Sequence, residues 1–454
     1  MTFKFVDLFA GIGGFHAVGS ALGGRLVYAS EIDTRAAQIY AENWGLEPRG
    51  NIENDANDKV MRVPLHDLLF AGFPCQPFSK SGHQRGMEEV RGTLFWSIAK
   101  IIEKRRPSLV VLENVRNLVG PRHKHEWHVI TTTIRDLGYR ISDDPTIISP
   151  HQLPPAYGGK PQVRERVFIG ATRIPKGKPD EKSAVPPVRV TALEQDWDPN
   201  HWNLRRDLPL ESTTMRHIEV FGLTVEEFSW LEAWQEFIDV LRPQIPGGRL
   251  PGFPIWSDSF VDRENLKIPR NTPEWKKIFL TKNSDFYTAH KDLIDKWNKK
   301  WKVNSKFPPS RRKFEWQGQS AESIWECLVQ FRPSGIRVKP NSYVPALVAM
   351  NQTSILGSNL RRITPREAAR LQGFPDWFSF DDQPMSDTYR QLGNAVNVSV
   401  AYQFTKALVE RDRDLLQRKP KLVNAILGAP VMPVVPPASN YSEGWTTPEW
   451  VDDF

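Results

Sequence analysis

One thiol stands in a stiff setting. Cys75 lies in Gly72-Phe73-Pro74-Cys75-Gln76-Pro77-Phe78-Ser79, just after an apolar run and between two prolines. Prolines on both sides restrain the loop and keep it out of helix. A thiolate there can attack an electrophilic carbon and carry a covalent intermediate. Packing in a core is the commoner fate of a cysteine, and residue type alone does not separate the two. Leu112-Glu113-Asn114-Val115 ends another apolar run with a carboxylate. Such a group suits acid–base work, or simply caps a following helix. In Gln162-Val163-Arg164-Glu165-Arg166 two guanidiniums lie two residues apart. If Gln162–Ile169 is a strand, both face one side and Glu165 the other. The pair then suits a carbonyl oxygen and a neighbouring phosphate; a surface ion-pair strand would look the same.

A second constellation suits ligand binding. Val6–Phe9 reads as a strand that runs into a turn containing Gly11, Gly13 and Gly14. Glycine permits positive φ and close approach of a ligand to the backbone, although a tight structural turn needs the same residues. Glu31 follows a second apolar run, 20 residues after Gly11. An acidic residue at that distance accepts hydrogen bonds from ribose hydroxyls in doubly wound folds. No Gly-Lys-Ser/Thr follows the turn, which argues against a triphosphate cradle, and His16 replaces the third glycine of the dinucleotide fingerprint. The remaining pattern suits an adenosine ligand without a pyrophosphate.

These residues require a scaffold. Phe3–Phe9, Arg25–Ser30, Leu68–Gly72 and Ser108–Glu113 are short apolar runs, separated by helical stretches such as Thr34–Asn43 and Thr93–Lys104. Buried strands alternating with helices predict a doubly wound α/β domain with a mostly parallel sheet. The alternation covers residues 1–174 and stops over 175–355, where ten of the chain's 16 tryptophans lie. That insert is expected to be irregular, with one readable helix. Thr224 and Glu227 form a capping box, and Phe228, Leu231, Trp234, Phe237, Ile238 and Leu241 recur at helical spacing. Residues 211–240 carry seven acidic residues against one basic, and residues 261–320 carry 15 basic against seven acidic. The basic stretch suits phosphate contact or is a solvated surface. Residues 356–430 return to α/β grammar. Thr364-Pro365-Arg366-Glu367 starts a helix that Gly373 ends, and Tyr389–Val396 leads into an apolar helix ending near Leu408. Residues 431–454, rich in proline at the start, are expected to be an irregular tail.

Composition sets bounds. The 454 residues are 40% apolar and 25% charged, which is ordinary for a soluble globular protein. A net charge of +7 favours a polyanionic partner. Two cysteines, Cys75 and Cys327, are too few for a disulfide framework or a thiolate metal site, and fit a reducing cytoplasm. The first residues enter a strand at once, without the basic head and apolar core of a secretory signal. No apolar run approaches membrane-spanning length.

The four segments, in this order, resemble the DNA (cytosine-5)-methyltransferase family over residues 1–170 and 355–408. The resemblance implies the fold of S-adenosylmethionine-dependent methyltransferases, with residues 175–355 as a target-recognition domain. It implies that Cys75 adds to C6 of a flipped-out cytosine, with Glu113, Arg164 and Arg166 serving the base. S-adenosyl-L-methionine would lie on Phe9, Ala10, Gly11, Gly13 and Gly14. Glu31 would hold its ribose, Ile32 and Pro74 would border it, Asn51 and Ile52 would flank its adenine, and Leu94 and Asn394 would close the pocket. The family usually has Asp where Asn51 stands; the amide oxygen can still meet the adenine amino group. Gln76, Ser79, Lys80 and Gln162 would contact DNA, with Ser79–Gly82 in a clamping loop and Gly82 as its hinge. Phe331–Val338 and Asn351-Gln352-Thr353 would be DNA-facing loops, or turns. Double-stranded DNA is the implied partner of a cytoplasmic, monomeric, bacterial or phage-encoded enzyme without a large N-terminal regulatory region. Such enzymes often act beside a companion restriction endonuclease. A tRNA cytosine-5 methyltransferase is the nearest rival, and the long insert argues against it. Intact Cys75, Glu113 and Arg166 argue against an inactive DNA-binding relative. The incomplete glycine fingerprint argues against a nicotinamide-dependent oxidoreductase.

Overall fold

The computed structural model describes residues 3–74, 93–175, 185–194, 196–212, 214–215, 217–318, 320–347, 353–380 and 382–437. The chain forms two compact units. The first is Met1–Trp202, Pro345–Met350 and Ala368–Phe454; the second is Asn203–Val344 and Asn351–Glu367. The expected boundary after residue 174 therefore falls inside the first unit. The reason is packing: Trp202, buried, and Trp197 both donate their indole N–H to the His151 carbonyl, at 2.8 and 3.2 Å.

The first unit is an α/β sandwich. Strands β1 (Lys4–Leu8), β2 (Arg25–Ser30), β3 (Leu68–Gly72) and β4 (Leu109–Val115) alternate with helices α1 (Gly14–Ala21), α2 (Thr34–Trp44) and α3 (Leu94–Arg105). After α4 (Lys124–Asp136) come β5 (Tyr139–Ile141), β6 (Thr146–Ile148), β7 (Gln162–Val163) and β8 (Arg166–Arg173). The sheet order is β2-β1-β3-β4-β8-β5, with β6 also paired to β8. β1 is parallel to β2 and β3, and β3 to β4, while β8 is antiparallel to its neighbours.

Alternation explains how both faces are filled. Val6, Leu8, Leu69, Ala71, Val110 and Leu112 join one core with Phe95 and Ile98 of α3 and Ile130 of α4. On the other face Phe15 of α1 stacks on Phe70 at 4.8 Å, and Phe404 of the helix Val398–Arg411 meets Phe168 at 5.1 Å. A sheet covered on both sides needs strands that are apolar throughout. β3 is so, and β4 is so over Leu109–Leu112, ahead of Glu113 and Asn114, which makes these runs readable.

The C-terminal segment forms the helices Pro365–Gln372, Met385–Asn394, Val398–Arg411 and Pro420–Gly428. Glu367 Oε2 accepts from Thr364 N at 2.9 Å and Thr364 Oγ1 accepts from Glu367 N at 3.2 Å, so the expected capping box is present. Gly373 follows at φ 82°. Residues 431–437 have no helix or strand, yet the carbonyls of Val431 and Val435 accept from Gln403 and Trp377.

The second unit is not irregular. Its six-stranded sheet runs Ile255–Trp256, Lys313–Trp316, Gly335–Pro340, Cys327–Arg332, Ile355–Leu356 and Arg361–Arg362 in spatial order. The readable helix is there as Val225–Leu241, with the Thr224–Glu227 capping box formed. Leu231, Trp234, Phe237, Ile238 and Leu241 are buried; Phe228 is exposed and stacks on Trp325 at 5.3 Å. Trp234 stacks on Phe314 at 4.7 Å and Phe237 meets Trp297 edge-on at 4.8 Å. Phe331–Val338 is a hairpin whose two strands pair in antiparallel register. Among the described residues no helix is long and apolar enough to cross a membrane.

Candidate active site

The sheet order places β1 between β2 and β3, so the connections leaving β1 (to β2) and β3 (to β4) diverge at the carboxyl ends of these strands. Open α/β sheets bind ligands at such a crevice. Here a cavity of about 460 Å³ opens there, within the usual range for small-molecule sites. Phe9, Ala10, Gly11, Gly14, Glu31, Ile32, Asn51, Ile52, Pro74, Leu94, Glu113, Arg164, Arg166 and Asn394 all line it. Gly13 does not border it. Cys75, Gln76, Ser79, Lys80 and Gly82 lie outside the described residues, as do Asn351 and Gln352.

The glycine turn is built by close packing. A Cβ on Gly13 (φ 91°) would stand 2.1 Å from Trp44 Nε1, and one on Gly14 would stand 2.7 Å from Val396 Cγ1. Gly11 is different: it has open space around it but a φ of 55°. Phe9 also takes positive φ (56°), a strained state for a bulky residue. His16, where a dinucleotide fold has glycine, stacks on Trp44 at 4.2 Å and its Nδ1 meets Tyr40 Oη at 2.8 Å. Burial holds its imidazole down to about 3.

Two carboxylates face the crevice from different strands. Glu31 Oε2 accepts from Gly11 N at 2.7 Å and Oε1 from Asp33 N at 2.8 Å. Burial raises its pKa, and these backbone donors oppose the shift. Glu113 sits opposite Gly72 in the β3–β4 register. Arg166 Nε stands 3.0 Å from Glu113 Oε1 in an ion pair. Burial nevertheless raises the Glu113 pKa, against the pull of Arg164 and Arg166. The neighbouring Asn114 donates from Nδ2 to Phe73 O at 2.8 Å. It pins the chain two residues before Cys75.

The paired guanidiniums do not share a continuous strand. β7 ends at Val163 and β8 starts at Arg166, so the expected strand Gln162–Ile169 is broken between them. Arg164 is 1% exposed and donates to the carbonyls of Gly393 (2.8 Å) and Ala395 (2.7 Å). It thereby anchors the C-terminal segment that carries Asn394. Burial pulls its pKa down to about 9. Arg166 alone pairs with Glu113. Gln162, expected on DNA, is fully buried, with no hydrogen-bond partner for either side-chain polar atom among the described residues. That burial removes it from any surface contact.

Two contributors had not been assigned. Arg390 NH1 donates to Asp33 Oδ2 at 2.6 Å and ties the helix Met385–Asn394 to the N-cap of α2. Asp7, buried in β1, accepts from His16 N at 3.0 Å and fixes the start of α1 behind the glycine turn. Both belong to motifs already singled out, but nothing in residue type announced a supporting role. Asn51 Oδ1 accepts from Glu53 N at 3.0 Å, starting a short turn of helix that presents Ile52 and Glu53 to the cavity.

The family described as C-5 cytosine-specific DNA methylase matches residues 3–410. The chain is 41% identical to Type II methyltransferase M.AluI of Cellulosimicrobium cellulans, over 94% of this chain and 96% of that protein. It is 40% identical to M.HpaII of Haemophilus parainfluenzae, over 90% of each. Similarity to M.HhaI of Haemophilus parahaemolyticus is 28%, over 87% of this chain and 91% of the relative. A crevice with two carboxylates and an arginine thus sits in a chain that belongs to the C-5 cytosine-specific DNA methylase family and is a DNA (cytosine-5)-methyltransferase.

Proposed function

We propose that this enzyme methylates C5 of a cytosine extruded from duplex DNA, using S-adenosyl-L-methionine, as the modifying partner of a Type II restriction-modification system. The relatives' names support the last point. The carrying observation is that Glu113, paired with Arg166, opens into the same cavity as Glu31 and the glycine turn.

The residues present fit the methyl donor. Each Glu31 oxygen already takes one backbone N–H, which fixes the carboxylate and leaves lone pairs for a ribose diol. Ile32, 69% exposed, offers an apolar contact beside it, and Phe9 borders the same space. Bound there, the cofactor supplies an electrophilic methyl sulfonium.

The chain's own residues would do the rest. The Cys75 thiolate would add to C6 of cytosine, with Glu113, whose pKa burial raises, serving as the acid toward N3. The C5–C6 π electrons would become an enamine, which makes C5 nucleophilic toward the methyl group that the bound donor would supply, its sulfonium leaving as a neutral thioether. Loss of the C5 proton and departure of the thiolate restore the ring. Arg166 holds Glu113 in place and offers a guanidinium to the base carbonyl. Arg164 acts as a positioning residue through the carbonyls it holds. Residues 175–355, of which the second unit is the larger part, would recognise the target sequence, with Lys80 and its loop on the DNA. The enzyme would work in the cytoplasm.

Trapping on duplex DNA that carries 5-fluorocytosine tests this reading. Fluorine at C5 blocks the final elimination, so a covalent complex should accumulate only when cofactor is present. A Cys75→Ser variant should form none. A trapped complex in that variant would remove Cys75 from the reaction.

A further inference from the structure

The opposite end of the same sheet holds a second cavity, of about 630 Å³. Topology builds it. β1 begins at Lys4 and β2 at Arg25, while α3 ends at Arg105 and the antiparallel β8 ends at Arg173. Arg106, the left-handed cap after α3, and Lys419 complete six basic side chains around it. One carboxylate, Asp67, stands among them. Its oxygens are already taken by Lys4 N (3.0 Å) and Lys419 Nζ (2.8 Å).

The other cations have no carboxylate partner among the described residues. Arg105 donates to the carbonyls of Val63 (2.5 Å) and Met61 (2.7 Å), Arg106 to Leu137 O, and Arg173 to Arg106 O at 2.8 Å. Carbonyl bonds orient these guanidiniums and leave their charge uncompensated. The side chains of Lys4 and Arg25 have no ion-pair or hydrogen-bond partner among the described residues. Gathering like charges in a concave wall focuses a positive potential there.

His66 is a separate pointer to a ligand. It lines the cavity, is 7% exposed, and its Nδ1 lies 2.8 Å from Pro64 O. A carbonyl can only accept, so Nδ1 carries the proton and Nε2 is a bare lone pair. That Nε2 is buried with no partner among the described residues. Burial holds the imidazole down to about 4, so it is neutral at neutral pH. An unpaired buried acceptor beside a cluster of cations asks for a ligand that is anionic and still carries a hydrogen.

We infer that this cavity binds a small phosphate-bearing anion, with Lys4, Arg25 and Arg173 on its oxygens and His66 Nε2 accepting from a P–OH. Monohydrogen phosphate has both features at neutral pH. Sulfate has the charge and geometry but no hydrogen. Free phosphate or diphosphate and the terminal group of a small phosphate ester share this chemistry. DNA does not suit it: duplex phosphates lie on a convex rod, ionised and esterified, and cannot offer a P–OH to a side chain as buried as His66.

Calorimetric titration of the full-length protein near neutral pH tests the inference, with inorganic phosphate, diphosphate, glycerol phosphate and sulfate as separate probes. Phosphate or diphosphate should bind saturably and more tightly than sulfate, and glycerol phosphate reports whether esters enter. Arg25→Glu and Lys4→Glu should each weaken binding about tenfold or more, the loss of one charge-assisted contact. Methyl transfer should be unchanged in both, since neither residue borders the first cavity. Absence of saturable binding, equal affinity in wild type and both variants, or sulfate binding as tightly as phosphate would each overturn the assignment. So would reversals that weaken duplex affinity while no small phosphate binds, since that places DNA there instead.

Discussion

The two units solve the problem of a core in different ways. The first buries aliphatic strands between helices, and its order follows the sheet: the candidate site residues gather at the carboxyl ends of β1, β3 and β4. The second is organised around aromatic rings, with Trp234 between Phe237, Trp297 and Phe314. The two cysteines mark the same difference. Cys327 is packed in the second core and burial pushes its thiol up to about 12, which makes it inert. Cys75 follows the Phe73–Pro74 segment pinned by Asn114 at the rim of the first cavity. A periodic scaffold leaves strand ends free to carry function, whereas an aromatic core spends its distinctive residues on packing.

Substitutions can break that contrast. The largest effect is expected at Cys75→Ser: methyl transfer should vanish while cofactor affinity and the unfolding midpoint stay as in wild type. Residual turnover near the wild-type rate would move the chemistry elsewhere. Glu113→Gln should slow transfer by roughly a hundred- to ten-thousand-fold, as removal of a positioned acid does. Since the Glu113 pKa is raised, the wild-type rate should hold through the ordinary carboxylate range and fall as pH climbs past the shifted value. The Gln variant should lack that alkaline limb; a shared limb would assign it to another group.

Trp234→Ala should cost the second unit about 3–5 kcal/mol. Scanning calorimetry should then show a transition split off at lower temperature, with cofactor binding by the first unit intact. Loss of cofactor binding would mean that the units are not separable. His16 gives a smaller, graded effect. Its folded pKa is lowered from 6.5 to about 3. A histidine held neutral contributes stability that is full above 6.5 and declines as pH falls toward the folded value. His16→Phe should therefore flatten the acid side of the stability curve of the first unit, measured by denaturant titration; an unchanged slope would deny the linkage. The smallest effect is expected on the helix Lys291–Trp301. Lys291 and Lys300 are paired with Asp262 and Glu236, both at 2.5 Å, while Lys296 and Lys299 have no partner among the described residues. Replacing Lys296 and Lys299 by Ala should reduce the salt slope of DNA affinity by about one to two if each meets a phosphate. No change would make this face merely solvated.

Residue types and spacing alone determined the order of the first unit. β2 and β3 have the expected bounds, and the other early elements shift by a few residues at their ends. Local rules suffice there, because a strand buried on both faces must be apolar throughout and a capping box is written within four residues. Glu31, Glu113, Gly11 and Gly14, singled out in the sequence, line one cavity. Tertiary structure decided what local rules cannot carry. It split the Gln162–Ile169 run, turned Arg164 onto backbone carbonyls and sank Gln162 into the core, although Arg and Gln usually favour the surface. It gave the tryptophan-rich insert a sheet and core of its own, because aromatic packing depends on partners far apart in sequence and leaves no period to read. It also gathered Lys4, Arg25, Arg105, Arg173 and Lys419 at one end of the sheet, where strand direction, not sequence proximity, makes them neighbours.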